Sequence, residues 1–71
     1  MAEESAQRKT RWPELVFVEF STAARIIEKE NPDVKAIKIL ADSPRIENFD
    51  PSRVWVDCNV EDRVVKVPSV G

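Results

Sequence analysis

The sequence is poor in the side chains that usually carry out covalent chemistry. It has no histidine, one cysteine (Cys58) and one glycine (Gly71). Without histidine the commonest general base is missing, and neither a Ser-His nor a Cys-His nucleophile can be assembled. Phosphate-binding loops and dinucleotide fingerprints need internal glycines, and there are none. A lone thiol can form no internal disulfide. Cys58 alternates with Val54 and Val56, which predicts a buried, inert sulfur. The commonest metal ligand is also absent. No catalytic residue, no metal and no cofactor is therefore expected, and the chain is not expected to be an enzyme.

Recognition through a loop is the chemistry left open. Ala41 to Ser52 is a twelve-residue stretch with no apolar periodicity. Structureless connections of that length are uncommon in small domains and usually serve a function. The stretch is also long enough to join two parallel strands, so a plain crossover is the competing reading. Pro44 and Pro51 bracket it and restrict the backbone, which argues against disorder.

The elements that must hold this loop are legible on either side. Phe20, Ala23, Ala24 and Ile27 follow the spacing of one helical face, with Arg25, Glu28 and Lys29 opposite. Ser21 or Thr22 is a candidate cap, and Pro32 disfavours helical geometry at Asn31. The pattern predicts a helix from about Ser21 to Asn31. Val34 to Leu40 reads as a first strand. Arg53 to Asn59 alternates, with Val54, Val56 and Cys58 on one face and Arg53, Trp55 and Asp57 on the other, and predicts a second. Glu61-Asp62 is a turn, and Val64, Val65 and Val67 predict a short third strand ended by Pro68. Trp12, Leu15 and Val16 are the first apolar anchors, and residues 1–10 read as a disordered polar tail.

Bulk properties restrict the partners. The 71 residues allow one domain, which on folding buries only about 60% of its unfolded surface. A net charge of −2 provides no basic field for nucleic acid or a membrane surface. The opening Met1-Ala2-Glu3-Glu4-Ser5 is acidic and polar, unlike a signal peptide. An intracellular chain is expected from that, or an extracellular one from which a signal has been removed.

Trp12-Pro13-Glu14-Leu15-Val16 resembles the opening motif of the potato inhibitor I family of serine protease inhibitors. Ile26-Ile27-Glu28-Lys29-Glu30-Asn31-Pro32 is similar to the end of the family helix. Ser43-Pro44 and Phe49 stand where members carry loop residues. Arg53-Val54-Trp55-Val56 resembles the strand after the loop, and Val67-Pro68-Ser69-Val70-Gly71 the family ending. These motifs fall in one register without a gap from Trp12 to Gly71. The resemblance implies an α+β domain over residues 11–71, with a single helix packed on a small mixed β-sheet and a long exposed reactive-site loop. It further implies a scissile bond between Glu47 and Asn48, with Pro44, Arg45, Ile46, Phe49 and Asp50 contacting the protease. Arg53, Trp55 and Gly71 would support the loop from behind. The implied partners are serine endopeptidases of the subtilisin, chymotrypsin or glutamate-specific class, and the implied state is a monomer. The resemblance also implies a role in plant defence and in the response to wounding.

Several positions depart from the family pattern. Glu47 occupies the position before the scissile bond, where an apolar side chain is usual, and points either to a glutamate-specific protease or to weak inhibition of ordinary, subtilisin-like ones. Asn48 replaces an acidic residue, and its amide oxygen is expected to accept from Arg53. Ile46 replaces a common threonine. Asp50 replaces a common arginine and is expected to pair with Arg45 or Arg53. Pro51 takes the place of a cysteine or isoleucine, so the disulfide of some members is absent. Phe17 stands where glycine is common. These changes predict a softer, more readily cleaved loop. They also leave a second reading open, in which the scaffold is a binding or regulatory module with weak or lost inhibition.

Overall fold

A computed structural model describes residues 9–45 and 48–71. Pro13–Leu15 forms a single 3-10 turn, with proline at its start, where a missing N–H costs nothing. Helix α1 spans Phe20–Glu30, strand β1 Lys35–Leu40, β2 Arg53–Cys58 and β3 Ser69–Val70. The strands are ordered β1-β2-β3. β1 runs parallel to β2, from Lys35 opposite Arg53 to Leu40 opposite Cys58. β3 is antiparallel to β2, with Val54 opposite Val70. This is the expected α+β arrangement of one helix on a small mixed sheet.

The helix differs from expectation at its start. It begins at Phe20, with Glu19 as the capping residue and no side-chain cap. The Phe20 N–H donates instead to the Asp62 carbonyl, 2.8 Å away. A backbone partner from the distant turn does the work assigned to Ser21 or Thr22, and local sequence carries no signal of it. The helix ends at Glu30, one residue earlier than predicted, and Asn31 is extended. Asn31 is buried, with its amide donating to the Lys9 carbonyl and its Oδ1 accepting from the Asp33 N–H.

Ala23 and Ile27 face the core, as their spacing predicts. They meet Trp12, Leu15, Val34, Ala36, Val54, Val56, Cys58 and Val64 in one apolar cluster. Trp12 is fully buried, and its indole N–H donates to Glu30 at 2.9 Å, as a buried ring N–H requires. Val16 lies only half-buried beside these anchors.

The third strand also differs. Val64 is buried but makes only an isolated bridge with Cys58, because its N–H turns away to the Val18 carbonyl. The chain then passes Pro68, which has no N–H to give a ladder, and pairs with β2 only at Ser69–Val70. Pro68 therefore precedes the strand rather than ending it. Of the residues expected as a tail, Lys9 and Thr10 are tied in: Lys9 lies 3.2 Å from Glu30, and the Thr10 carbonyl accepts from Val70. The other eight lie outside the described residues.

Phe17 has φ of 76°, a left-handed conformation that strains any residue with a Cβ. This explains why a glycine suits the position. The strained backbone is fixed by the Phe17 N–H donating to the Val64 carbonyl at 2.6 Å, while 74% of the residue is exposed.

Candidate functional site

The site is built on β2. Its inward residues, Val54, Val56 and Cys58, are fully or almost fully buried and fix the strand. The alternation of a pleated strand then sends Arg53, Trp55 and Asp57 to the other side. The 41–52 loop connects the end of β1 to the start of β2, so both of its arms return to this strand.

The leading arm leaves β1 with the Ala41 N–H on the Cys58 carbonyl, 2.8 Å, and turns at Ser43, whose N–H reaches Leu40 at 3.0 Å. Asp42 takes φ of 72° in that turn, a conformation acidic and amide side chains tolerate better than most. Pro44 is exposed. Arg45 forms an ion pair with Asp57, and its guanidinium lies 5.4 Å from the centre of the Trp55 ring. Ile46 and Glu47 lie outside the described residues, so the expected scissile bond is seen from its Asn48 side only.

The trailing arm is anchored by Arg53. The Asn48 carbonyl accepts from Arg53 Nη2, and the Gly71 carbonyl accepts from Nε at 2.9 Å and Nη2 at 2.7 Å. The fork of the guanidinium thus ties the loop to the β3 end of the sheet. The Arg53 guanidinium also sits 4.6 Å from the Trp55 ring centre. Gly71 is fixed in turn: its N–H donates to the Arg53 carbonyl at 2.8 Å, and its carbonyl accepts from the Asp50 N–H at 3.3 Å. The Phe49 ring flanks Gly71 and is itself 70% exposed.

Two expected contacts are replaced. Asp50 pairs with neither Arg45 nor Arg53; its Oδ1 accepts from the Ser52 N–H at 2.9 Å and the Ser52 hydroxyl at 2.7 Å. Local geometry wins because the two donors are only two residues away. Those bonds hold the Asp50 carboxyl below its ordinary pKa range, the Ser52 N–H contributing most. Arg53 reaches the main-chain carbonyl of Asn48 instead of its side-chain amide. Main-chain recognition is indifferent to the exchange of an acidic residue for asparagine.

Asp57 is the residue that sequence reasoning missed. It was visible on the outward face with Arg53 and Trp55, but an aspartate on a strand face is ordinarily solvated. Here it is 5% exposed and forms an ion pair with Arg45. Cys58 is a free, buried thiol. Burial pushes its pKa up, consistent with an inert sulfur.

Comparison with known proteins places this geometry. The family model for the potato inhibitor I family matches residues 3–71. An inhibitor of trypsin and Hageman factor from Cucurbita maxima is 39% identical over 67 residues, covering 94% of this chain and 98% of the relative. A Glu S. griseus protease inhibitor from Momordica charantia is 37% identical, covering 92% and 96%. The crystal structure of bitter gourd trypsin inhibitor superimposes with a TM-score of 0.89 at 35% identity, covering 92% of this chain and 96% of that one. The same helix-on-sheet fold, matched over nearly the whole length by sequence and structure, shows that this chain belongs to the potato inhibitor I family, a family of protease inhibitors and not of enzymes.

Proposed function

We propose that the chain inhibits serine endopeptidases by presenting Glu47-Asn48 as a substrate-like bond that is cut slowly and rejoined. The observation that carries this reading is Arg53, whose guanidinium bridges the Asn48 and Gly71 carbonyls. An anchor at the first residue after the bond keeps the new amine in place after cutting. It also lowers the ordering entropy lost when the loop enters a protease cleft as an added strand. Phe49, exposed and braced against Gly71, offers an apolar contact on the leaving side.

Glu47 directs the inhibitor toward a glutamate-specific endopeptidase. A carboxylate entering an apolar pocket would lose hydration without gaining a partner, whereas a pocket built for glutamate supplies one. The Momordica charantia relative named as a Glu S. griseus protease inhibitor supports this reading. The test is Glu47→Leu. Wild-type protein is expected to inhibit the glutamate-specific enzyme, and the variant to shift preference toward subtilisin. Equal inhibition of both enzymes by both proteins would rule out Glu47 as the selector.

A further inference from the structure

We infer that Asp57 is a positioning residue that, through Arg45, clamps the arm of the loop before the reactive bond, opposite the hold of Arg53 on the arm after it. This deepens the inhibitor reading and rests on it.

Arg45 lies two residues before Glu47 and eight before Arg53, on the stretch that becomes the acyl side of the cleaved loop. Its guanidinium pairs with Asp57, whose side chain is only 7% exposed while that of Arg45 is 31% exposed. A carboxylate so withdrawn from water is costly without a partner, so Asp57 holds Arg45 as strongly as Arg45 shields Asp57. The strand beneath cannot yield, because Val56 and Cys58 on either side of Asp57 are core residues. Trp55 joins the two anchors, with Arg45 and Arg53 both against its ring at 5.4 and 4.6 Å. Two guanidinium groups on one indole bring like charges together. Asp57 offsets one of them, so both arms can rest on the same ring.

The consequence concerns the fate of the cut bond. On cleavage the protease serine oxygen bonds to the Glu47 carbonyl carbon, the C–N bond to Asn48 breaks, and the Asn48 amine takes up the proton. That amine can attack the ester again, restoring the peptide bond and returning the serine its proton. Water attacking instead leaves a Glu47 carboxylate. Arg53 keeps the amine near, and the Arg45–Asp57 pair keeps the acyl carbon in reach of it. Effective concentration between the two ends depends on both holds.

The experiment uses the full chain as wild type, Arg45→Ala, Arg45→Lys, Asp57→Asn and the Arg45→Ala/Asp57→Asn double variant. Each is incubated with glutamate-specific endopeptidase. Mass spectrometry follows the rate of cutting at 47–48 and the final ratio of cleaved to intact inhibitor, and urea denaturation follows stability. Arg45→Ala and Asp57→Asn are each expected to raise cutting about tenfold and to raise the cleaved fraction. The double variant should go no further, as members of one pair are non-additive. Arg45→Lys should fall between, retaining charge without the fork. Arg45→Ala leaves the Asp57 carboxylate without its partner and is expected to lose stability, which the double variant should partly restore. Arg45→Lys should stay near wild type in urea and so separates positioning from loss of fold; should Arg45→Ala or Asp57→Asn fail to fold, Arg45→Lys and the double variant decide the question. Wild-type cutting rates in the variants of a protein that does inhibit would overturn the clamp alone, as would additive effects. A wild-type protein that neither inhibits nor is cut at 47–48 would overturn the inhibitor reading and the clamp with it.

Discussion

Replacing Arg53 with alanine removes one cation from two carbonyl oxygens at once. The contact to Asn48 is exposed and the two to Gly71 are half-buried. Hydrogen bonds to a charged group contribute about 1.5–3 kcal/mol each, and solvent exposure puts these at the low end. The two bonds to Gly71 share one acceptor and are counted together. The exposed Asn48 contact is discounted further by solvent screening, to about 1–1.5 kcal/mol of loop order, and the Gly71 contact is worth about 1.5 kcal/mol of fold stability. Arg53→Ala should therefore speed cutting at 47–48 about five- to tenfold and lower global stability by about 1.5 kcal/mol. Cutting is read by mass spectrometry of the protease complex, and stability by urea denaturation. Arg53→Lys is the control, because a single ammonium cannot span both carbonyls with the same geometry. The reasoning is refuted if Arg53→Lys matches wild type in both assays, or if Arg53→Ala loses stability while its cutting rate stays unchanged.

Three further outcomes follow from the geometry. Phe17→Gly relieves a left-handed strain of about 1–2 kcal/mol and loses about 0.5–1 kcal/mol to glycine's unfolded freedom. The protein should gain up to about 1.5 kcal/mol in urea, and a loss would mean that the exposed ring carries packing that outweighs the strain. Cys58 should resist thiol reagents in the folded protein and react only on unfolding; rapid labelling under native conditions would contradict its burial. The Asp50 carboxyl, held below its ordinary pKa by Ser52, orders the trailing arm fully above its unfolded pKa of about 4 and loses that contribution as pH falls through the lower folded value. NMR of the Ser52 amide should report that titration, and a midpoint at or above the unfolded value would contradict the turn.

The sequence carries the core and the scaffold through periodicity. Ala23 and Ile27 fall on the helical face that is buried, and Val54, Val56 and Cys58 on the buried side of β2. What escapes it depends on contacts between distant segments. The helix start rests on the Asp62 carbonyl, and the short third strand on where Val64 spends its N–H. The loop residues were legible by position, but their partners were not. Charge matching favours Asp50 with an arginine, while the fold gives Asp50 to Ser52 and leaves Arg45 to Asp57. Only the pairing of loop and strand in space puts Arg45 over Asp57. The role of Phe17 was likewise invisible until its φ was known, since no side-chain contact explains a preference for glycine there.

The most direct measurement is an active-site titration of a glutamate-specific endopeptidase with the wild-type chain, alongside subtilisin, chymotrypsin and trypsin. The account predicts a linear loss of glutamate-specific activity to a one-to-one endpoint, with the 47–48 bond still largely intact in the complex. Undiminished activity of all four enzymes, with the chain cut rapidly after Glu47, would contradict it.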